Sequence, residues 1–290
     1  MIPDTGPGAS RTATASLAGG SGSGLELVVV KLGGETLADQ YDALRGVATV
    51  MRRYRPVVVH GGGKRLSLWL NRLGVNSRWE AGRRVTDDTA LEVAVAVLGG
   101  LVNAELVAAL VRLGVRAVGL SGIDAGLLIA ERIPQLGRVA RVAGARPSVL
   151  EPVIEAGLVP VVAPLALDEA GVICNVNADE VAAGLAAAMH ARLVLLSDTD
   201  GVLDGTGRTI PRLDRRRAEA LIGDGTISGG MIPKVRGALA VLEAGGPEVV
   251  IADGRSPDAV SRALEDEESG TRLVQRGSRS PRPAPAAQAR

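Results

Sequence analysis

Aromatic residues are nearly absent from this 290-residue chain, which has two tryptophans, two tyrosines and no phenylalanine. Because hydrophobic residues still make up 46% of the sequence, the interior has to be built from Val, Leu, Ile and Ala. Runs of these aliphatic residues suit parallel strands that are covered on both faces. The composition therefore favours an α/β fold with a substantial core.

The chain also has little cysteine and a small net charge. Cys174 is the only cysteine, so an internal disulfide is excluded, as is usual in a reducing compartment. The formal net charge of +1 provides no global field that would attract nucleic acid or an anionic membrane. The chain does not open with the basic and apolar segments of a secretory signal. We therefore expect a cytoplasmic protein with no nucleic-acid or membrane partner.

One stretch, residues 91–111, is apolar enough to be considered as a membrane span. Glu92, Asn103 and Glu105 interrupt it, and charged side chains are costly at the middle of a membrane. A buried helix of a soluble protein is the better interpretation.

The two ends of the chain have a different composition from its centre. Residues 1–24 consist mostly of small and polar residues, and residues 275–290 are rich in Pro, Ala, Ser and Arg. Such segments bury too little apolar surface to offset the entropy of ordering, so both are predicted to be disordered tails. Arginines from Arg272 onward make the second tail basic. The ordered part is expected at residues 25–274.

Between the tails, short β-branched runs alternate with amphipathic stretches, which predicts a mainly parallel sheet with helices on both sides. Strands are predicted at residues 27–31, 56–60, 116–120, 159–163, 193–197 and 248–252. Helices are predicted at residues 38–53, 64–73, 87–113, 178–190, 215–222 and 233–244. Residues 127–142 and 164–175 carry turn signals between apolar runs, and they are predicted to be β-hairpins added to this sheet.

Glycines follow two of the predicted strands. Lys31 precedes Gly33 and Gly34, and His60 precedes three glycines that lead into a helix. Glycine lets a backbone approach a phosphate closely, and a helix N-terminus attracts anions. Because the carboxyl ends of neighbouring strands face one crevice, both loops should point at a single ligand. Neither loop matches the common P-loop or dinucleotide-binding patterns, so each alone is a weak signal.

Polar clusters occur at four further places. Arg84 could offer its planar guanidinium to a carboxylate, although Arg83 beside it is an alternative. Thr86 could cap the helix that follows. In the segment Asn175-Val176-Asn177-Ala178-Asp179, a polar side chain could be only a helix cap. The other two clusters are the sequences LLSDTDGVLDG after a strand and ISGGMIPKV before a helix.

The motifs VVVKLGG, VVVHGGGK, GRRVTD, NVNADE, LLSDTDGVLDG and ISGGMIPKV occur in this order along the chain. This ordered set resembles the amino-acid kinase family, most closely its N-acetylglutamate kinase branch, over roughly residues 25–274. The resemblance implies a three-layer αβα sandwich with an open, mainly parallel central sheet. It also implies an acceptor-binding lobe at about 25–175 and a nucleotide-binding lobe at about 176–274.

The resemblance further implies roles for individual residues. Lys31 and Lys234 would stabilise the transferring phosphoryl group, and Asp179 would orient the two lysines. The acceptor would be bound by Gly62, Gly63, Arg84 and Asn175. ATP would be bound by Gly33, Gly34, Thr199, Asp200, Gly201, Val202, Leu203, Asp204, Thr226, Ile227 and Ser228. Mg²⁺ would lie chiefly on phosphate oxygens, so no set of protein metal ligands is expected.

The implied reaction is the ATP-dependent phosphorylation of the side-chain carboxylate of N-acetyl-L-glutamate, a step of arginine biosynthesis. A carrier-protein-linked aminoadipate or glutamate is an alternative acceptor, and a non-catalytic ligand sensor on the same fold is a rival of a different class. Arginine-inhibited members of the branch usually have an amino-terminal amphipathic helix that links dimers into a hexamer. Since residues 1–24 are rich in Gly and Ser, we expect an arginine-insensitive homodimer.

Overall fold

The structure is a computed structural model, and it describes residues 25–33, 37–80 and 82–275. The predicted amino-terminal tail and all but the first residue of the predicted carboxyl-terminal tail therefore lie outside the described residues. Gly34, one of the predicted ATP-binding residues, lies outside them as well.

The central feature is a sheet of eight strands in the order β12-β14-β13-β11-β1-β2-β8-β5. All neighbouring pairs are parallel except β13 and β14. The strands are β1 (Glu26–Leu32), β2 (Tyr54–His60), β3 (Arg78–Glu80), β4 (Arg83–Val85), β5 (Ala117–Ser121), β6 (Leu128–Arg132), β7 (Val139–Ala145), β8 (Val159–Ala163), β9 (Leu165–Asp168), β10 (Ile173–Val176), β11 (Arg192–Ser197), β12 (Arg212–Leu213), β13 (Val249–Asp253) and β14 (Thr271–Leu273). The six predicted strands are confirmed to within two residues at each end.

Helices lie on both faces of this sheet. They are α1 (Leu37–Val50), α2 (Gly63–Arg72), α3 (Asp88–Ala94), α4 (Asn103–Arg112), α5 (Leu150–Glu155), α6 (Ala178–Met189), α7 (Arg215–Gly223), α8 (Met231–Glu243) and α9 (Ala259–Glu265). Successive residues of β1 alternate between two hydrophobic clusters, Val29 in one and Val28 and Val30 in the other. Because strand side chains alternate in direction, both faces of the sheet are covered. The predicted three-layer αβα sandwich is confirmed.

The helix predicted at residues 87–113 is one long helix of 25 residues, Asp88–Arg112. A π-helical segment, Val95–Val102, joins α3 to α4 inside it. This helix is long and apolar enough to span a membrane, but half of its most apolar window is buried within the protein. Its buried apolar residues, among them Leu98 and Leu106, belong to one of the two core clusters. The expectation of a buried core helix agrees with this packing.

The two predicted hairpins exist, but the prediction that they extend the central sheet is wrong. The strands β6 and β7 form one hairpin, and β9 and β10 form the other. The hairpins pair with each other, β6 with β9 and β7 with β10, and close a four-stranded barrel. Closure removes the exposed strand edges that each hairpin would otherwise present. The local sequence pattern predicts the strands, but tertiary packing determines which strands pair with each other.

Arg272, assigned from sequence to the basic tail, is instead a buried residue of β14 with 3% exposure. Its guanidinium is 2.8 Å from Glu248 Oε1 and donates to the carbonyl oxygens of Ala263 and Asp266 at 3.0 and 2.7 Å. Glu248 also pairs with Arg192. Arg272 thus fastens β14 to the start of β13 and to the end of α9.

Replacing Arg272 with alanine should lower the free energy of unfolding by about 3 kcal/mol, because Glu248 and two carbonyl oxygens would lose a buried donor. Urea denaturation measures the change. Arg53→Ala is the control, since Arg53 pairs with Glu265 on the surface, where its side chain is 70% exposed, and should have little effect. Equal effects of the two substitutions would contradict the structural role of Arg272.

Candidate active site

The carboxyl ends of β1, β2 and β11 meet at one edge of the sheet. In the parallel register, Lys31 of β1 lies opposite Val59 of β2 and Leu195 of β11. A cavity of about 460 Å³ opens at this edge. It is lined by Lys31, Gly33, Leu196, Ser197, Asp198, Thr199, Gly230, Met231 and Lys234. Ligands of open α/β sheets bind at such a position.

Two lysines of the cavity share one carboxylate. Lys31 Nζ lies 2.9 Å from Asp179 Oδ1, and Lys234 Nζ lies 3.0 Å from Asp179 Oδ2. All three side chains are less than 20% exposed. Three elements supply them, since Lys31 is in β1, Asp179 in the first turn of α6 and Lys234 in the first turn of α8. The structure thus brings together the three predicted catalytic residues.

The carboxylate and the ammonium groups shift each other's proton affinity. Burial alone would raise the pKa of Asp179, but the positive charges of Lys31 and Lys234 bring it down to about 2. Burial and repulsion by Lys31 lower the pKa of Lys234, and Asp179 opposes this change. A single carboxylate therefore stabilises two buried cations, and the cluster keeps one excess positive charge.

Asn177, not Asp179, caps α6. The Asn177 side chain accepts a hydrogen bond of 2.8 Å from the backbone N–H of Asp179. The carboxylate of Asp179 is therefore available to the lysines, which answers the question that the sequence left open for this segment.

Gly33 has a packing reason as well as the predicted phosphate-binding reason to be glycine. A Cβ atom at this position would overlap the carbonyl oxygen of Leu196 at the end of β11. The backbone at position 33 can pass between β11 and the cavity only because glycine has no side chain. Ligand contact at Gly33 stays a prediction.

The predicted acceptor-binding residues form a second cluster next to the first. Gly62 has a φ of 141°, which is open to glycine, and it precedes the first turn of α2. Arg84 is 5% exposed and donates to the carbonyl oxygen of Gly63 at 3.2 Å and to the hydroxyls of Ser67 and Ser77. Its guanidinium also stacks 4.5 Å from the centre of the Trp79 ring. Arg84 is thus fixed beside the glycine loop.

Arg83 points elsewhere. It pairs with Glu180 in the first turn of α6, and Glu180 also accepts from the backbone N–H of Val142. Arg83 is thus used in a contact between β4 and α6, whereas Arg84 contacts Gly63 of the glycine loop, so Arg84 is the better candidate for a carboxylate ligand.

Thr86 joins two of the predicted acceptor ligands. Its buried hydroxyl donates to the carbonyl oxygen of Arg84 at 2.9 Å and accepts from Asn175 Nδ2 at 3.3 Å. This arrangement directs the amide oxygen of Asn175 away from Thr86. The expectation that Thr86 caps the following helix is wrong, because Asp87 accepts from the backbone N–H of Ala90 and caps α3.

The predicted nucleotide-binding segments lie on two loops of the carboxyl-terminal half. Thr199 lines the cavity, and the backbone N–H of Val202 donates to Thr271 Oγ1 at 2.8 Å. The side chains of Val202 and Ile227 belong to the hydrophobic core, so only their backbone atoms are available to a ligand. The loops that contain residues 199–204 and 226–228 are therefore anchored to the core.

Five cavity residues were absent from the predicted set, namely Leu196, Ser197, Asp198, Gly230 and Met231. They lie within the motifs LLSDTDGVLDG and ISGGMIPKV, so the sequence signal for them was present. His60 and Asn103, which contact each other beneath the glycine loop, were also missed as a pair. No local pattern connects them, because 43 positions separate them in the sequence.

Comparison with known proteins decides the family. A model described as "Amino acid kinase family" matches residues 26–253. An acetylglutamate kinase of Solibacter usitatus is 44% identical over 253 residues, which are 85% of this chain and 98% of that protein. An acetylglutamate kinase of Parvibaculum lavamentivorans is 39% identical over 268 residues, 86% of this chain and 88% of the relative. The chain belongs to the amino-acid kinase family.

Two solved structures agree with the fold. A structure of smu.665 from Streptococcus mutans matches with a TM-score of 0.74 and 27% identity, covering 86% of this chain and 98% of the other. A carbamate kinase of Giardia lamblia bound to AMP-PNP matches with a TM-score of 0.63 and 16% identity, covering 87% and 99%. The second likeness concerns the fold alone.

The side chains of the site fit a metal ion that is coordinated mainly by phosphate oxygens. Within residues 25–33, 37–80 and 82–275, no group of three His, Cys, Asp or Glu side chains could hold a metal ion. Both carboxylate oxygens of Asp179 face lysines. The oxygen-rich shell that Mg²⁺ prefers would therefore come mainly from phosphate and water.

The low pKa of Asp179 predicts a dependence of stability on pH. At pH values above its ordinary pKa of 3.8, the ionised carboxylate contributes roughly 2 kcal/mol to the free energy of unfolding. This contribution is lost as the pH falls from about 4 to about 2. Asp179→Asn removes the contribution at every pH. The difference in unfolding free energy between the two proteins should therefore shrink across this window.

Urea denaturation at constant ionic strength between pH 6 and pH 2 (about the range of carboxylate titration) measures the difference. A difference that stays constant with pH would contradict the assigned charge state of Asp179.

Proposed function

We propose that this protein is an N-acetylglutamate kinase, which transfers the γ-phosphoryl group of ATP to the side-chain carboxylate of N-acetyl-L-glutamate. The product would be N-acetyl-L-glutamyl 5-phosphate, an intermediate of arginine biosynthesis. The observation that carries the proposal is the Lys31–Asp179–Lys234 cluster in a cavity at the carboxyl ends of β1 and β11. The names of relatives about 40% identical to this chain support the choice of acceptor.

The reaction asks the protein mainly for positioning and for positive charge. A carboxylate oxygen of the acceptor forms a bond to the γ-phosphorus, and the bond from that phosphorus to the β,γ-bridging oxygen breaks, so that ADP leaves with the electron pair. The acceptor is already ionised at neutral pH, so no general base is needed. Mg²⁺, when bound with ATP, neutralises charge on the phosphates.

Lys31 and Lys234 would act on the phosphoryl group in this transfer. An ammonium group 4 Å from one unit of negative charge is worth about 4 kcal/mol at an effective dielectric constant near 20. Asp179 holds both ammonium groups in place before the substrates arrive. Preorganised charge of this kind lowers the barrier because it needs no rearrangement during the reaction.

The acceptor would bind in the neighbouring cluster. The backbone N–H groups of Gly62 and Gly63 would hold the reacting carboxylate, Arg84 the second carboxylate and Asn175 the acetamido group. The contacts of Arg84 with Gly63 and of Thr86 with Asn175 support this assignment, because they place these groups side by side.

The nucleotide would bind on the other side of the cavity. Its phosphates would lie near Gly33 and Gly34, and its remaining parts along the loops at residues 199–204 and 226–228. The lining of the cavity by Gly33 and Thr199 supports this arrangement. In terms of the chain, the acceptor lobe would comprise about residues 25–175 and the nucleotide lobe about residues 176–274.

An assay with ATP, Mg²⁺ and hydroxylamine tests the reaction, because an acyl phosphate is trapped as a hydroxamate. We expect hydroxamate with N-acetyl-L-glutamate and none with a carrier-protein-linked aminoadipate or glutamate. Lys31→Ala and Lys234→Ala should each lower turnover by about a hundredfold or more, since each removes one charge from the transition state. Arg215→Ala, a remote change at an exposed ion pair with Glu243, is the control.

Two outcomes would overturn the proposal. Hydroxamate formed only with the carrier-linked acceptor would identify a different kinase, and no hydroxamate with any acceptor would favour a ligand sensor. Undiminished turnover in both lysine variants would refute the roles of Lys31 and Lys234.

We also propose that the enzyme is a cytoplasmic homodimer that is insensitive to arginine. The Gly- and Ser-rich composition of residues 1–24 supports this, because it does not suit the amphipathic helix of the hexameric members. Native mass spectrometry should show a species of twice the chain mass of 29.7 kDa. Arginine at roughly millimolar concentration should leave turnover unchanged. A hexamer, or inhibition by arginine, would contradict this proposal.

A further inference from the structure

A buried histidine stands directly before the glycine loop of the acceptor site. His60 is the last residue of β2, it is fully buried, and the loop of Gly61, Gly62 and Gly63 follows it. His60 Nδ1 lies 2.7 Å from the carbonyl oxygen of Gly61. The reaction itself uses no group at this position, so its burial needs another reason.

The second ring nitrogen of His60 meets Asn103. Asn103 Nδ2 lies 3.1 Å from His60 Nε2 and also faces the carbonyl oxygens of Val161 at 2.8 Å and Leu120 at 3.3 Å. The amide NH₂ group can only donate, so Nε2 of His60 has to accept. The proton of the neutral imidazole is then on Nδ1, which donates to Gly61.

Burial keeps the imidazole neutral. It lowers the pKa of His60 to about 4, although the hydrogen bond with Gly61 acts in the opposite direction. At neutral pH the ring therefore has one proton, and the contacts with Gly61 and with Asn103 both favour its position on Nδ1.

The residues around the contact between His60 and Asn103 are closely packed. A Cβ atom at Gly119 of β5 would overlap Asn103 Oδ1, and a Cβ atom at Gly62 would lie 2.7 Å from Leu98 Cδ2. The π-helical segment Val95–Val102 ends directly before Asn103. Such segments change the direction of side chains within a helix and are frequent at functional sites. The long helix thus contacts the glycine loop at Gly62 and reaches His60 through Asn103.

We propose that His60 and Asn103 are a positioning pair that fixes the Gly61 carbonyl and thereby aims the N–H groups of Gly62 and Gly63 at the acceptor carboxylate. The proposal rests on the proposed acceptor site. Asn103 reinforces the tautomer that the Gly61 carbonyl requires, and the Nδ1–H group of His60 holds the peptide that begins the loop. The loop is then ordered before the acceptor binds, which reduces the entropy lost on binding.

Two substitutions separate the halves of the pair. The side-chain amide of asparagine can occupy the place of Nδ1, so His60→Asn retains a donor for Gly61. The longer glutamine reaches the place of Nε2, so His60→Gln retains the contact with Asn103 and loses the one with Gly61. We expect His60→Gln to raise the KM for N-acetyl-L-glutamate by about tenfold and His60→Asn by much less, with the KM for ATP unchanged in both.

A third substitution disturbs the pair without changing either member. Gly119→Ala should displace Asn103 and raise the KM for the acceptor as His60→Gln does. Gly144→Ala is the matched control, because Gly144 is also a strand glycine and a Cβ atom there meets only Ile129 Cδ1 at 3.7 Å, an ordinary contact. Equal effects of the His60 variants, or a parallel rise of both KM values, would overturn the proposal.

NMR of the imidazole rings tests the His60–Asn103 contact independently of enzyme activity. The chain has two histidines, and His190→Asn assigns the spectrum, since asparagine tolerates the left-handed conformation found at residue 190. Long-range ¹H–¹⁵N spectra should show the Nδ1–H tautomer for His60 and a larger share of the Nε2–H tautomer in Asn103→Ala. An Nε2–H tautomer in the unchanged protein would refute the pair even if the kinase reaction is present. A protein with the expected tautomer but no hydroxamate product would instead refute the acceptor site on which the pair acts.

Discussion

The ion pairs of Asp179 with two lysines are the interaction on which the active site depends. Two ammonium groups that are mostly withdrawn from water repel each other, and burial disfavours each charge. The lowered pKa of Lys234 reflects both effects. One carboxylate with an oxygen toward each lysine offsets much of this cost and sets the spacing of the two charges. The position of α6 relative to β1 and α8 is therefore constrained by electrostatics as well as by packing.

The sheet order explains how these residues meet. β1 lies between β11 and β2, so its carboxyl end faces the loop after β11 on one side and the glycine loop after β2 on the other. Lys31 is at the point where the two loops adjoin. The first turn of α6, which follows β10 of the small barrel, brings Asp179 to the same point. A group that passes from the nucleotide to the acceptor would have to cross this position.

The sequence predicted those features that depend on neighbouring residues. Lys31 and the glycines after β1 and β2 could be recognised because aliphatic runs define the strand ends. Asp179 and Lys234 needed the ordered motifs of the family, since composition does not distinguish a catalytic carboxylate from a helix cap. The closed barrel, the burial of Arg272 and the contact between His60 and Asn103 depend on tertiary packing, which no local pattern encodes. Thr86 shows the same limit, because its capping role was plausible locally and Asp87 fulfils it.

The excess of one positive charge in the Lys31–Asp179–Lys234 cluster is consistent with a polyanionic ligand. The cluster contains two mostly withdrawn cations and one anion, and the exposed carboxylate of Asp198 at the cavity adds a weaker negative charge near Lys234, so the balance is unfavourable in a low dielectric. A phosphate group between the lysines would supply the missing negative charge, so part of its binding energy comes from relief of this imbalance. Negative charge on the phosphoryl oxygens during transfer would be stabilised by the same two ammonium groups. Because Asp179 fixes their distance, the stabilisation would be available without movement of the lysines, and the structural cost of assembling the charges is met when the protein folds.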